Sequence, residues 1–497
     1  MVQIPKEPKE HVERRANILV AYILTFVLLG MPLWLYTTSV ERSPLPHDEM
    51  AYYDSSVTSE LHVKVPVVFS GVDSATALEI ETELAQQLAS QNIYGWGIKS
   101  SSEGVHIHIA EADTPTYTVD TRGEDIQITS PPADLVKASV ASILSVYKPE
   151  IQEFLRLIGK TKSKDDLAVI YSPQYYITFS LFHGGGVPVS WDIQPALKEY
   201  FDPLLAELQH VATFNVDTQV EHHAELSRKP EEIANNEYVL TPGDLSTFIN
   251  SATWGLSSVH KDPTLHFILY VPDVEDLPMH IQGSNSDSFV VPQWGGVKLI
   301  NGQTHFTKEQ LKPVLETFSA QLLTLLGAPA EPTSPAMRIS ALARLFAVKA
   351  VMISAQTLGS LSRLTKSLPS IAVPISTMNG VVKAIEDLKT SIESLELGKN
   401  WKAVYFAAES MKKAQEGFFE KMMVQQMYFP DEHKVAVYLP LLGPIFVVIL
   451  TGFGRVLRER KAKQDEDEAV QKALEGLSEE DRKKKKVTVV AGDVPNS

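Results

Sequence analysis

The chain has 497 residues, no cysteine and a formal net charge of −16. Its length exceeds one ordinary core and accommodates two or three subdomains, and an apolar share of 44 % is that of a chain that folds. The acidic balance excludes nucleic acid as the main partner, and the missing thiol excludes disulfides, cysteine-ligated zinc, iron–sulfur clusters and a cysteine nucleophile, while leaving the compartment open.

A basic N-terminus (residues 1–17, with Lys6, Lys9, Arg14 and Arg15) precedes an uncharged apolar run from Ile18 to Tyr36. At about 1.5 Å per residue such a run covers roughly 28 Å, close to the hydrocarbon thickness of a bilayer. Trp34 and Tyr36 sit at its far end as interfacial aromatics. It is longer than the apolar region of a signal peptide, and no small-x-small cleavage site follows. Residues 37–60, with Ser43-Pro44-Leu45-Pro46 among them, read as an extended stalk.

Residues 61–333 read as an α/β region of two subdomains, 61–165 and 166–333. In the first, Leu61 to Phe69 is a strand, and Leu78, Ile80, Leu84 and Leu88 form a helical stripe. Val105, Ile107 and Ile109 alternate with His106 and His108 as a second strand. Tyr117 to Val119 and Ile126 to Ile128 are short strands, and Leu135 to Ile158 is one or two helices. In the second, Ala168 to Phe182 reads as a strand pair around Tyr171-Ser172-Pro173, then a helix over Ile193 to Leu208 and a strand over Thr213 to Val220. Leu265 to Val271 is continuously apolar, as in a strand buried on both faces. Val290-Val291 and Val297 to Ile300 flank a turn at Pro292 to Gly296, and Leu315, Phe318, Leu322 and Leu325 mark a helix that Pro313 starts or kinks.

Residues 334–434 read as a helical layer. Ser334 and Pro335 suit an N-cap and first turn for a helix to Ser367. Val381, Ile385, Leu388, Ile392 and Leu395 repeat at helical-seam spacing, Gly398 breaks the pattern, and a third helix is expected from Trp401 to Met427. A second apolar run covers 435–453, with Tyr428, Phe429 and Tyr438 near its start, Pro440 and Pro444 inside, and Arg455, Arg458, Arg460, Lys461 and Lys463 after it. Basic residues thus lie outside both runs, which predicts two transmembrane helices, both chain ends cytosolic and the segment between on the other side. The tail 454–497, with Lys483 to Lys486, reads as largely disordered.

Chemistry-bearing patterns are sparse. His106 and His108 share a strand face and could begin a zinc site, but spacing supplies no third ligand, and solvated strand histidines are the plainer reading. The adjacent His222 and His223 would point to opposite strand faces. Gly184-Gly185-Gly186 lacks the Gly-Lys-Ser/Thr of a phosphate loop and reads as a turn. Asp192 serves as an acid or, more simply, as a helix N-cap. Neither Gly-x-Ser-x-Gly nor His-Glu-x-x-His occurs. No catalytic residue, metal or cofactor is therefore expected. Arg14 and Arg15 stand at headgroup depth, where basic pairs either orient a helix or hold the phosphates of anionic lipids.

The motifs have a distinctive order. Gly30-Met31-Pro32-Leu33-Trp34, Thr37-Thr38 and Pro44-Leu45-Pro46 come first. Trp191-Asp192-Ile193, Phe214-Asn215-Val216-Asp217-Thr218-Gln219, Leu269-Tyr270-Val271-Pro272 and Trp294-Gly295-Gly296 follow, then Tyr428-Phe429-Pro430-Asp431 and Tyr438-Leu439-Pro440-Leu441. Over nearly the whole chain this resembles the PIG-S family, the class S subunits of glycosylphosphatidylinositol (GPI) transamidase. The resemblance implies an endoplasmic reticulum membrane protein with a lumenal domain, in a complex that joins precursor proteins to a GPI lipid. It implies a caspase-like catalytic partner (PIG-K), the further partners PIG-T, PIG-U and a peptidase-like membrane subunit, and contact with membrane lipids. A chain without cysteine suits a non-catalytic, scaffold-type place in such a complex. No Asn-x-Ser/Thr sequon occurs between the two apolar runs. Two other readings stand beside it: a two-span membrane sensor or receptor with a lumenal ligand-binding domain, and a metal-dependent hydrolase using His106 and His108.

Overall fold

A computed structural model describes residues 9–38, 42–159, 167–224, 226, 230–233, 237–241, 262–368, 371–421 and 431–475. The chain forms two compact units. One comprises 1–43, 368–374 and 421–497, the other 44–367 and 375–420. The expectations placed on Lys6, Pro369, Tyr428, Phe429 and Lys483 to Lys486 fall outside the described residues.

The first unit opens with helix α1 (Lys9–Thr25), a π-helical turn (Phe26–Gly30) and helix α2 (Met31–Thr38). The Met31 amide reaches back to the Phe26 carbonyl, so the widened turn lies just before Pro32, which has no amide to give. The stretch Glu13–Leu33 has a mean hydropathy of 2.1 and contains no fully buried residue. Among the described residues it is the one helix long and apolar enough, by that measure, to cross a membrane.

The second unit begins with helix α3 (His47–Glu60). An extended stalk is expected to residue 60, yet 47–60 is helical, with Met50 and Val57 fully buried. Glu49 pairs with Lys389 at 2.8 Å, Asp54 with Arg363, and His47 Nδ1 lies 3.0 Å from Ser362 Oγ. These side chains tie α3 to a helical layer far along the chain.

The first sheet holds β1 (Val63–Ser70), β2 (Trp96–Ser100), β3 (Val105–Glu111), β4 (Thr116–Val119) and β5 (Ile126–Ser130) in the order β2-β1-β3-β5-β4. All pairings are parallel except β4 with β5. Helix α4 (Ser74–Ser90) joins β1 to β2, and α5 (Leu135–Leu157) follows β5 as one helix through Pro149. Val63, Val65 and Val67 are buried and alternate with half-buried residues along β1. On α4 the buried stripe is Ala77, Ile80, Leu84 and Leu88, and Leu78, expected in it, is 63 % exposed. The 77–80–84–88 spacing keeps one face of the helix, which residue 78 leaves.

The second sheet is built from β6 (Gln174–His183), β8 (Thr213–Glu221), β11 (Thr264–Val271), β13 (Ser288–Val291) and β14 (Gly295–Leu299), in the order β13-β14-β11-β6-β8. Only β13 is antiparallel. The expected strand pair over 168–182 is a single strand. Pro173 lacks the ladder amide, and the Tyr175 hydroxyl accepts from the Ser172 amide and donates to the Ile170 carbonyl, both at 2.8 Å. The two-residue strand β7 (Ser190–Trp191) follows. The helix expected over 193–208 divides at Phe201 into α6 (Ile193–Tyr200) and α7 (Asp202–Leu208), because Pro203 fits the first turn of a new helix. β11 is central and buried on both faces, as its sequence predicts. Leu265, Phe267 and Leu269 join a core with α6 and α8 (Lys308–Leu326), and Ile268 and Tyr270 join another with Leu240, Met279 and Ile281. The last three lie in or at the small sheet of β9 (Glu231–Ile233), β10 (Glu237–Leu240) and β12 (Met279–Ile281), and β15 (His305–Phe306) pairs with β7. Pro313 lies inside α8, which a Thr307–Gln310 capping box opens.

Three helices complete the unit: α9 (Pro335–Ser367), α10 (Ile375–Glu396) and α11 (Asn400–Phe418). Val381, Ile385, Leu388 and Leu395 are buried along the expected seam and Ile392 is half-buried. Gly398, at φ 73°, ends it. The helix expected to reach Met427 stops at Phe418, and residues 422–430 lie outside the described ones.

The first unit resumes with α12 (Asp431–Glu475), which contains Pro440 and Pro444. The expected second span, 435–453, lies on it, and the tail expected to be disordered is helical to Glu475. Phe26 meets Phe446 edge-on at 6.3 Å, Leu19 lies against Gly452, and Arg15 lies 3.6 Å from Glu459. The ascending and descending numbers make α1 and α12 antiparallel neighbours.

A Cβ at Gly359 of α9 would overlap the Asp54 carboxylate on α3. Gly359→Leu is therefore expected to cost about 1–3 kcal/mol by overpacking, read as a lowered Tm with new proteolytic cleavage within 43–61.

Candidate functional site

The sequence-predicted chemistry resolves into separate places. His106 and His108 project from the exposed face of β3, with rings stacked at 6.2 Å and the His108 Nδ1 hydrogen-bonded to Ser70 Oγ. Among the described residues no group of three or more His, Asp or Glu stands close enough to hold a metal. His222 and His223 fall just past β8, not on it, and His223 has φ 59°.

Gly184 to Gly186 leave the carboxyl end of β6. The Gly184 amide donates to the Val271 carbonyl at 2.9 Å and the Gly185 amide to His183 Nδ1 at 3.0 Å. A Cβ at Gly185 would overlap the Asp273 carboxylate, and one at Gly186 would meet the His223 ring at 2.6 Å. Asp273 in turn accepts from the Val274 amide at 2.7 Å. The glycines permit close chain approach, and the carboxylate serves a local turn.

Asp192 occupies the N-cap position of α6, but its side chain makes no capping bond. It instead stands 4.0 Å from His305 Nε2, while His305 Nδ1 lies 2.8 Å from Ser190 Oγ. This Ser–His–Asp grouping joins residues 115 apart in sequence, and no motif announced it. Its aspartate and histidine side chains are about half exposed. At that exposure the grouping stands open to water.

The strongest electrostatic feature was equally invisible in sequence. Arg344 of α9 grips Glu150 of α5 through two hydrogen bonds of 2.7 Å, from Nε and Nη2, with side chains only 2 % and 4 % exposed. Trp96 Nε1 donates to the same carboxylate at 3.2 Å, and the Trp96 ring lies 5.3 Å from Tyr147. Burial works against the guanidinium charge and Glu150 more than offsets it, so the Arg344 pKa is raised. Six residues earlier, Arg338 donates to the Pro329 carbonyl and to Thr324 Oγ1, both at 2.8 Å. Burial lowers its pKa to about 10, and its placement at the C-terminal turn of α8 sets it against the negative end of that helix.

Trp294-Gly295-Gly296 is a packing motif. Its indole stacks on buried His266 at 5.0 Å. Side chains on the glycines would overlap the His266 carbonyl and the Gln321 amide oxygen. Gln321 Nε2 donates to the Phe289 carbonyl at 3.1 Å, binding α8 to the edge of the sheet.

Arg14 and Arg15, the lipid-headgroup candidates, separate. Arg14 is exposed, whereas Arg15 turns toward α12 and Glu459.

The profile of the family described as Phosphatidylinositol-glycan biosynthesis class S protein (PIG-S) matches residues 21–463. The chain belongs to the PIG-S family. It is 29 % identical over 492 residues to the "GPI transamidase component PIG-S homolog" of Schizosaccharomyces pombe, covering 92 % of this chain and 86 % of that protein. It is 26 % identical over 498 residues to "GPI transamidase component GPI17" of Saccharomyces cerevisiae, covering 89 % and 92 %. With the human "GPI-anchor transamidase component PIGS" it shares 24 % identity over 519 residues, covering 88 % and 93 %. The PIG-S match spans both units, so the family likeness does not reside in one of them alone.

Arg344→Met leaves Glu150 buried and unpaired and is expected to cost about 3–5 kcal/mol, most of it regained when Glu150→Met is added. Chemical denaturation of the two single variants and the double variant reads this cycle. His266 is neutral in the fold, its pKa lowered by burial from 6.5 to about 4. The unfolded chain takes up more protons between those values, so this contribution is complete above pH 6.5 and falls as pH drops through the window. His266→Phe should flatten the acid-side stability loss by on the order of 3 kcal/mol, measured as Tm against pH.

Proposed function

We propose that this chain is a non-catalytic, scaffold-type subunit of GPI transamidase in the endoplasmic reticulum membrane. The observation that carries the reading is the family match over residues 21–463, with relatives named as transamidase components covered over 86 % or more of their length. Two spans, 18–36 and 435–453, hold the domain between them on the lumenal side, with both termini cytosolic. The antiparallel packing of α1 and α12 supports that arrangement, because it places Arg15 and Arg455 at the same end. A stalk at 37–60 would then be partly a docked helix, and the lumenal 61–333 and 334–434 regions would meet the other subunits: PIG-K, which supplies the catalytic cysteine, PIG-T, PIG-U and a peptidase-like membrane subunit.

The absence of cysteine supports the non-catalytic part, since acyl transfer through a thiolate has no donor here. Deleting the gene is expected to abolish surface GPI-anchored proteins and leave uncleaved precursors. A Ser190→Ala, His305→Ala copy should restore both, as flow cytometry and precursor immunoblots would report. Normal anchoring in the deletion strain overturns the complex assignment. Failure of a stably expressed double-alanine copy overturns the non-catalytic one.

A further inference from the structure

Between α1 and α12 lies a groove of ≈ 280 Å³. Its walls include Leu19, Val448 and Gly452, and Arg15, Arg455 and Glu459 line it as well. Glu459 Oε1 stands 3.6 Å from Arg15 Nη2 and 3.1 Å from Arg455 Nε, so one carboxylate faces two guanidinium groups. The surrounding segments 13–15 and 455–461 together carry six basic and two acidic side chains. Arg15 precedes the apolar run by three residues and Arg455 follows the other run by two. Both guanidiniums therefore belong at the headgroup level, with the apolar walls leading inward.

We propose that this groove holds one glycerophospholipid whose headgroup carries a net negative charge, its phosphate at Arg15 and Arg455 and an acyl chain along Leu19, Val448 and Gly452. The inference rests on the two-span reading above. Charge complementarity selects the occupant: the polar end is net basic, it lies at one edge of two apolar helices, and beyond it Tyr22 is the one polar side chain among walls that are otherwise apolar. A helix of another subunit would bring apolar surface to the walls but no phosphate to the guanidiniums. Glu459 fits the same picture by holding both guanidiniums at the mouth. Gly452 keeps the groove open, because a Cβ there would meet Leu19 at 2.8 Å. Arg14 is exposed and is not among the groove-lining residues, which makes it an internal control.

The test uses the full chain in its native complex, purified in mild detergent and reconstituted into nanodiscs of phosphatidylinositol and phosphatidylcholine. Retained lipid is then quantified by mass spectrometry after delipidation. Wild type should retain the anionic lipid over the zwitterionic one. Arg15→Gln with Arg455→Gln should lower that retention at least fivefold, Gly452→Leu should do the same with the charges intact, and Arg14→Gln should leave it unchanged. Equal retention in all variants overturns the proposal, as does an equal loss in Arg14→Gln, which would mean bulk surface charge. A photo-crosslinker at position 19 that labels a subunit polypeptide and no lipid overturns it in favour of a docked helix. Failure of the two-span reading shows separately, as protease protection of the two tails on opposite sides.

Discussion

The second unit depends on a charge pair placed where charge is expensive. Arg344 and Glu150 are almost wholly withdrawn from water, and such a pair is tolerated only when geometry and further hydrogen bonds offset the lost hydration. Here the guanidinium is bidentate and the indole of Trp96 adds a third donor. The three residues come from β2, α5 and α9. Misplacing any of these elements leaves a buried charge unpaired, so the pair selects one arrangement of the first sheet against the long helix. That is a specificity role more than a source of net stability.

Helix α9 carries this constraint outward. Six residues before Arg344, Arg338 binds it to the C-terminal turn of α8, and Ile339 and Leu342 enter the core of the second sheet. Further along, Gly359, Ser362 and Arg363 receive α3, and Ser354 lies 2.6 Å from Ser410 of α11. One helix of 33 residues thus touches α5, α8, α3 and the helical layer. A domain organised around one shared helix presents fixed surfaces. Its Ser–His–Asp grouping and histidine pair lie in the open, where solvent screens what catalysis would need concentrated.

Much of this was legible in the residues. The apolar run 265–271 is a central strand, the alternation at 105–109 does place two histidines on one face, and the 381–395 repeat is a buried seam with one half-exposed member. The misreadings have identifiable causes. Leu78 is as apolar as Leu84 but lies off the helical face, Pro203 divides a continuous helical pattern, and Pro173 ends what looked like a strand. Residues 47–60 carry two prolines just ahead and few apolar side chains, so nothing local indicates that they dock on α9.

By itself the sequence determined what depends on neighbours along the chain. Apolar runs, strand alternation and helical spacing are local regularities, and the absence of cysteine and the family motifs are properties of composition and order. Only the tertiary structure decided which charges meet. Glu150 and Arg344 are 194 residues apart, and Ser190 and His305 115, and each reads in sequence as an ordinary polar residue. Arg14 and Arg15 are adjacent and chemically identical in sequence, yet helical geometry turns one to solvent and the other to α12. The cost of removing a charge from water is set by what surrounds it, and that is decided by packing between distant segments.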